Sequence, residues 1–149
     1  MFHRNRLIYF VIFPIAVALI YLPFLQNPCR LFERGNDLQE QFWPVFYFIK
    51  QQFLTHHSLP FWNNLFFSGI PLLPDPQFPL FYPQYLAFLI LPVVAAILLL
   101  IALHTLLGGI GAYWAARRGL GLTRNASVFV GMLFLLTAPV KRRKMLKRE

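Results

Sequence analysis

The chain has 149 residues, of which 58 % are hydrophobic and 13 % charged, and its formal net charge is +9. Much of the positive charge lies in the tail 141–149, and arginines at the ends of apolar segments are topology signals, so we predict no nucleic-acid partner. The single cysteine excludes an internal disulfide, and no Cys/His spacing is typical of a zinc site.

Three apolar segments, 7–25, 93–114 and 125–140, define the fold class. The first carries no charge, the second has only His104 as an ionisable group, and the third is uncharged but short. A helix needs roughly 20 mostly apolar residues to cross a bilayer. The sequence therefore predicts an all-α polytopic membrane protein with two to three transmembrane helices, forming a single membrane domain over residues 1–149.

The basic residues give the predicted orientation. Arg4 and Arg6 precede the first apolar segment, and three arginines lie within 117–124. By the positive-inside rule the N-terminus is cytoplasmic and the loop over about 26–92 is extracytoplasmic. The first apolar segment is longer than a signal-peptide core and has no small-residue cleavage site after it, so we predict an uncleaved anchor.

The loop 26–92 is rich in both aromatic residues and proline, which predicts a structured segment lying at the membrane surface. Asp37 and Glu40 have the spacing of a capping box, and apolar residues then recur every three or four positions as far as Phe53. This pattern predicts an amphipathic helix, in which Pro44 requires a kink or a later start.

The rest of the loop is predicted to be less regular. The prolines over 59–83 are too frequent for a regular helix or a central strand, so a compact loop held by aromatic packing is expected. Residues 84–91 are compatible with a short interfacial helix, which Pro92 stops.

Small residues in the second and third apolar segments predict close helix packing. They are Gly108, Gly111 and Ala112 in the second segment and Ser127 and Gly131 in the third. Such spacings are common in membrane helices and indicate contact between helices without indicating a function.

The C-terminal region conflicts with the predicted topology. If 125–140 runs outward, the basic residues 141–144 lie outside, against the positive-inside rule. Either this segment does not cross the membrane, or the chain is the front piece of a longer protein. We expect a fragment.

A series of short motifs in the loop carries a family resemblance. In chain order the motifs are Gly35-Asn36-Asp37, Gln41-Phe42-Trp43-Pro44, Leu59-Pro60-Phe61-Trp62-Asn63, Gly69-Ile70-Pro71, Asp75-Pro76-Gln77 and Phe81-Tyr82-Pro83, followed by His104. Over about residues 7–140 the chain resembles the front end of the YfhO-like bacterial membrane proteins, in the GT-C class of membrane glycosyltransferases. It departs from them at Asn64, where the family tends to have proline, and in having far fewer spans.

The resemblance implies an enzyme of the bacterial cytoplasmic membrane that transfers sugar from a polyprenyl-phosphate donor at the outer face. This chain alone is expected to be inactive. Asp37 matches the catalytic acidic residue of the first outer loop in that class. A carboxylate there can take the proton of the acceptor hydroxyl or bind a divalent metal, Mg²⁺ or Mn²⁺, so the cofactor is left unknown.

The predicted substrate-binding residues each have a structural alternative. Asp75, between two prolines, is also a typical turn former. Trp62 also suits an interfacial anchor, and Asn63 and Gln77 either hold the loop backbone or contact a sugar. Arg34 either pairs with the phosphate of the donor lipid or makes an ordinary headgroup contact.

Two further alternatives stay open. Asp37 is equally suited to be the N-cap of the surface helix, and His104 either serves a function or hydrogen-bonds a neighbouring helix. A rival from another class is a small non-enzymatic integral membrane protein that acts as an interaction subunit of a larger membrane partner.

Overall fold

The computed structural model describes residues 4–31, 37–78 and 81–140, and these are mostly helical, which confirms the all-α prediction at that level. The regular elements of the described ranges are α1 (Arg4–Gln26), α2 (Trp43–Leu54), β1 (Trp62–Asn63), β2 (Ile70–Pro71), α3 (Leu86–Ile90), α4 (Val93–Trp114) and α5 (Arg124–Val140). Turns of 3-10 type cover Pro28–Leu31 and Pro83–Tyr85, and turns of π type cover Leu38–Phe42 and Ala115–Gly119.

Prolines set several of these boundaries. Pro44 lies in the first turn of α2, and the π turn Leu38–Phe42 directly precedes it. The α-helix itself therefore begins later than predicted, while helical backbone already starts at Asp37. Helix α3 ends at Ile90 and Leu91 is extended, as expected of the residue before Pro92. The short helix predicted over 84–91 is thus confirmed, with its first turn of 3-10 type.

One helix among the described residues, over Val93–Gly119, is long and apolar enough to cross a membrane. It contains α4, whose bounds match the prediction residue for residue. The other two predicted spans are confirmed as helices, α1 and α5, but their apolar parts over Val11–Gln26 and Arg124–Thr137 are shorter. A polytopic arrangement therefore stays a prediction.

The chain divides into two compact units. We call Met1–Gln26 with Ile101–Glu149 the helical unit, and Asn27–Leu100 the loop unit. The prediction of a single membrane domain is not decided by this division, and each unit is described by itself.

A cluster of aromatic rings forms the core of the loop unit. The Phe46 ring stacks on the Phe88 ring, with ring centroids 4.1 Å apart. It also makes edge-to-face contacts with Phe78 and Tyr85, at centroid distances of 5.8 Å and 5.2 Å. Phe42 lies parallel to Phe46 at 6.1 Å. Phe46 therefore joins α2 to the 83–90 segment and to the end of the irregular loop.

A lysine ties α2 to the segment that precedes α4. The Lys50 ammonium donates a hydrogen bond of 2.6 Å to the Leu91 carbonyl oxygen, at the C-terminal end of α3. Cations are favoured at this end of a helix because its last carbonyls are unpaired.

Glycines allow close contact between α4 and α5 in the helical unit. A Cβ placed on Gly131 would lie 2.8 Å from the Gly109 carbonyl oxygen and 2.7 Å from Cζ of Phe13. A Cβ on Gly108 would overlap the Phe134 ring. The predicted packing role is thus supported at Gly108 and Gly131. It is wrong at Gly111, where no described atom lies within 4 Å of such a Cβ, because this glycine faces away from the crossing.

A buried hydrogen bond links α1 and α4. The Tyr21 hydroxyl lies 2.8 Å from Oγ1 of Thr105, which itself donates to the Ile101 carbonyl oxygen at 2.8 Å. Because the single proton of Thr105 is used on Ile101, Tyr21 is the donor between the helices. In apolar surroundings such a bond fixes the register of two helices.

Replacing Phe46 by alanine should destabilise the loop unit strongly. Removing a buried Phe typically costs about 3–5 kcal/mol, and four rings would lose their common neighbour. The measurement is hydrogen exchange of backbone amides over 37–91 in detergent. The matched control is Tyr47→Ala, because Tyr47 is 47 % exposed and stacks on Trp43 at the surface of the same helix. Equal loss of protection in both variants would contradict the central role of Phe46.

A second pair of variants tests the helix crossing. Gly131→Ala should lower the thermal midpoint of the protein in detergent, because its methyl group would overlap the Gly109 carbonyl oxygen and the Phe13 ring. Gly111→Ala places the same methyl group in open space and should be neutral or slightly stabilising, since alanine favours helix. A tolerated Gly131→Ala variant would show that the two helices do not meet there.

Candidate functional site

Two acidic segments of the loop unit meet through a pair of glutamines. Nε2 of Gln41 donates a hydrogen bond of 2.7 Å to Oε1 of Gln77. Gln41 follows Asp37 by about one helical turn, and Gln77 lies two residues after Asp75. The two carboxylates therefore lie on adjoining segments. We call these four residues the polar edge.

Aromatic packing connects the polar edge to the core of the loop unit. Phe42 and Phe78 each directly follow one of the bonded glutamines, and their ring centroids are 5.6 Å apart. Both rings contact Phe46. The edge is thus joined to the core of the loop unit by the residues next to its own polar contact.

Asp37 lies at the start of the helical segment but does not cap it. Its backbone is already helical, with φ −52° and ψ −30°, and its side chain makes no capping hydrogen bond. A capping side chain needs an extended backbone to reach the amides of the first turn. The capping box predicted from Asp37 and Glu40 is therefore wrong, and the Asp37 carboxylate is exposed at the edge.

Asp75 forms the turn that positions Gln77. Its Oδ1 accepts a hydrogen bond of 2.8 Å from the Gln77 amide, and its carbonyl accepts one of 3.2 Å from the Phe78 amide. This is the turn-forming geometry expected of an aspartate between prolines. A contact of Asp75 with substrate stays a prediction.

Asn63 and Gln77 both make contacts that hold the loop. Asn63 is fully buried, its Oδ1 accepts from the Leu65 amide at 2.9 Å, and its Nδ2 has no hydrogen-bond partner among the described residues. Gln77 is exposed and bonded to Gln41. Sugar contact by Asn63 stays a prediction and would require the loop to uncover it.

The remaining predicted site residues are Trp62 and Arg34. Trp62 is 55 % exposed, and its indole covers the backbone of Gly69, where a Cβ would overlap it. Arg34 lies outside the described residues, together with Gly35 and Asn36 of the first motif.

The donor set at the polar edge is too small for a metal. Mg²⁺ and Mn²⁺ prefer several oxygen ligands. Among residues 4–31, 37–78 and 81–140 no group of three or more His, Cys, Asp or Glu side chains lies close enough together to hold an ion. The described residues do not fit a divalent metal by themselves, so no chemical step is derived through one.

A neutral tyrosine lies in the aromatic core of this unit. Burial raises the pKa of Tyr85 above its ordinary value of about 10, and the neighbouring Tyr82 raises it further. The unfolded chain therefore ionises first, and stability linked to Tyr85 is lost only as the pH rises above about 10. At neutral pH its hydroxyl keeps its proton.

Sequence reasoning missed Gln41 as a positioning residue. Gln41 was part of a motif, but nothing in the sequence indicated a partner 36 residues away. The only available signal was its spacing from Asp37, which places both on one side of a helical segment.

Comparison of the chain with protein-family models, with curated proteins and with solved structures finds no match.

A double-mutant cycle on Gln41 and Gln77 tests the polar edge. Each single change to alanine removes one solvent-exposed hydrogen bond, so each should destabilise the loop unit by about 0.5–1.5 kcal/mol. The double variant should cost less than the sum of the two, because both changes remove the same bond. Thermal midpoints in detergent give the three values. Strict additivity would mean that the two side chains do not interact in solution.

Proposed function

We propose that this chain is an integral protein of the bacterial cytoplasmic membrane and the N-terminal part of a YfhO-like glycosyltransferase of the GT-C class. The proposal rests on the ordered motif series of the loop. Its main structural support is the exposed Asp37 carboxylate, which makes no capping bond and lies beside a second acidic segment.

In the proposed topology the N-terminus is cytoplasmic and the loop 26–92 is extracytoplasmic. Helix α4 supports one crossing by its length and composition. Arg117 and Arg118 follow it, and Arg118 lies over the Trp114 ring at 5.0 Å. An aromatic side chain beside arginine is typical of the level of the lipid headgroups.

The proposed reaction moves a sugar from a polyprenyl-phosphate donor to an acceptor hydroxyl. The hydroxyl oxygen forms a bond to the anomeric carbon while the bond from that carbon to the phosphate oxygen breaks. Asp37 accepts the proton of the hydroxyl, and the polyprenyl phosphate leaves with the bonding electron pair. We assign Arg34 to the phosphate, and Trp62, Asn63, Asp75 and Gln77 to the binding of substrate.

The chain by itself is proposed to be inactive. Members of the family that it resembles have many more spans. The described residues contribute the exposed carboxylates of Asp37 and Glu40 and one aspartate, Asp75, whose Oδ1 is engaged in its own turn.

The second candidate is a non-enzymatic interaction subunit of a larger membrane protein. It is favoured by the small number of carboxylates at the polar edge and by the large apolar side chains that α5 exposes. The most exposed of these are Phe129, Leu133 and Leu136. Such a surface suits either lipid or the helix of a partner.

Replacing Asp37 by asparagine tests the enzymatic proposal. Membranes that contain this chain together with the downstream spans implied by the resemblance would be supplied with a radiolabelled polyprenyl-phosphate sugar. Transfer should fall by about 10²–10⁴-fold, because the catalytic base is lost while the shape of the side chain is kept.

The matched control is Glu40→Gln, which neutralises another exposed carboxylate three residues further on and should leave transfer unchanged. Unchanged transfer by Asp37→Asn would overturn the catalytic assignment. No transfer by the unmodified protein, combined with stable co-purification of a larger membrane protein, would support the interaction subunit instead.

A further inference from the structure

A tight turn in the loop unit leaves the side chain of one phenylalanine exposed. We call residues Phe66–Gly69 the aromatic turn. The Gly69 amide donates to the Phe66 carbonyl oxygen at 2.7 Å, and the two residues between them, Phe67 and Ser68, have φ values of 50° and 63°. The Phe67 side chain is 90 % exposed.

The conformation of this turn is unusual for its sequence. Left-handed backbone at both central positions is typical of turns built from Asn and Gly, since a Cβ is strained there. Here the two positions are Phe and Ser. Strain of this kind is kept only where the surrounding structure requires it, and it is often found at functional sites.

The base of the turn is well packed. Trp62 pairs with Pro71 and Asn63 with Ile70 in the β1–β2 ladder. The side chain of Leu72 is fully buried, and its amide donates to the Phe61 carbonyl oxygen at 2.8 Å. The exposure of Phe67 is therefore a property of a folded hairpin.

The surroundings of Phe67 in the chain are apolar. No charged residue occurs between Leu59 and Pro74. About half of the surface of each of several other large side chains is exposed there, namely Leu59, Phe61, Trp62, Leu65 and Leu73. Aromatic and aliphatic side chains without charges suit the boundary between lipid headgroups and acyl chains.

The start of α4 relates the loop unit to the proposed membrane span. The loop unit includes the first two turns of α4, from Val93 to Leu100. The bond from Lys50 to the Leu91 carbonyl oxygen ties α2 to the residue just before that helix. If α4 crosses the bilayer, the loop unit lies where the helix enters it, at the depth of the headgroups.

We infer that the aromatic turn inserts Phe67 into the outer leaflet and anchors the loop unit to the lipid surface. This inference rests on the membrane placement within the proposed function. The polar edge belongs to the same unit, so the anchor sets the depth at which Asp37 meets a lipid-linked substrate.

Spin-label accessibility tests the inference on the full chain. A nitroxide is attached to Phe67→Cys in a Cys29→Ser background, and the protein is reconstituted into vesicles of phosphatidylcholine and phosphatidylglycerol. The control label is His56→Cys, in an exposed polar turn of the same unit, and a second label at Leu103→Cys reports on α4.

Oxygen, which concentrates in lipid, and a water-soluble nickel chelate then relax each label. We expect the ratio of oxygen to nickel accessibility at residue 67 to exceed that at residue 56 severalfold and to approach that at residue 103. A ratio at 67 equal to that at 56, with 103 in lipid, would overturn the anchor while the α4 span stands.

Two other outcomes also decide against the anchor. Nickel accessibility at all three positions would overturn the membrane placement itself. Shielding of residue 67 from both reagents would mean that protein covers it, either a second copy or a partner chain.

Discussion

The packing of Phe46 against four other rings is the interaction on which the loop unit depends. Elements that are far apart in sequence, α2, Phe78 and the 83–90 segment, have few other reasons to meet, because the prolines between them interrupt regular backbone pairing. Aromatic rings can hold such an irregular chain, since each buries a large area and prefers defined stacked or edge contacts. The polar edge is a consequence of this packing.

Close helix contact and a buried hydrogen bond stabilise the helical unit. Its contacts include a close approach of two glycine backbones, Gly109 and Gly131, and one hydrogen bond from Tyr21 to Thr105. Both devices suit an apolar solvent, where burial of hydrocarbon gives little driving force and close van der Waals contact and paired polar groups matter more. The loop unit thus relies on the ring cluster around Phe46, whereas the helical unit has close helix contact and a buried hydrogen bond between helices.

The features of this fold that could be predicted from the sequence are those with a local cause. Pro92 and an unbroken apolar run fix α4, and Pro44 fixes the start of α2, because both effects act within a few residues. Features that depend on distant contacts could not be predicted. The sequence suggested Gly111 as a contact glycine, whereas Gly109 is used, since the face that meets α5 depends on how the helices cross. The spacing of Asp37 and Glu40 suggested a capping box, but the helical turn extends through the backbone of Asp37 itself.

The candidate site was predictable in composition and not in geometry. Asp37, Asp75 and Gln77 were selected by motif, whereas the bond between Gln41 and Gln77 that unites them became visible only in the fold. That bond is exposed, so its net contribution is about 0.5–1.5 kcal/mol, against about 3–5 kcal/mol for a buried phenylalanine such as Phe46. The hydrogen bond between Gln41 and Gln77 can therefore break while the aromatic cluster around Phe46 stays folded.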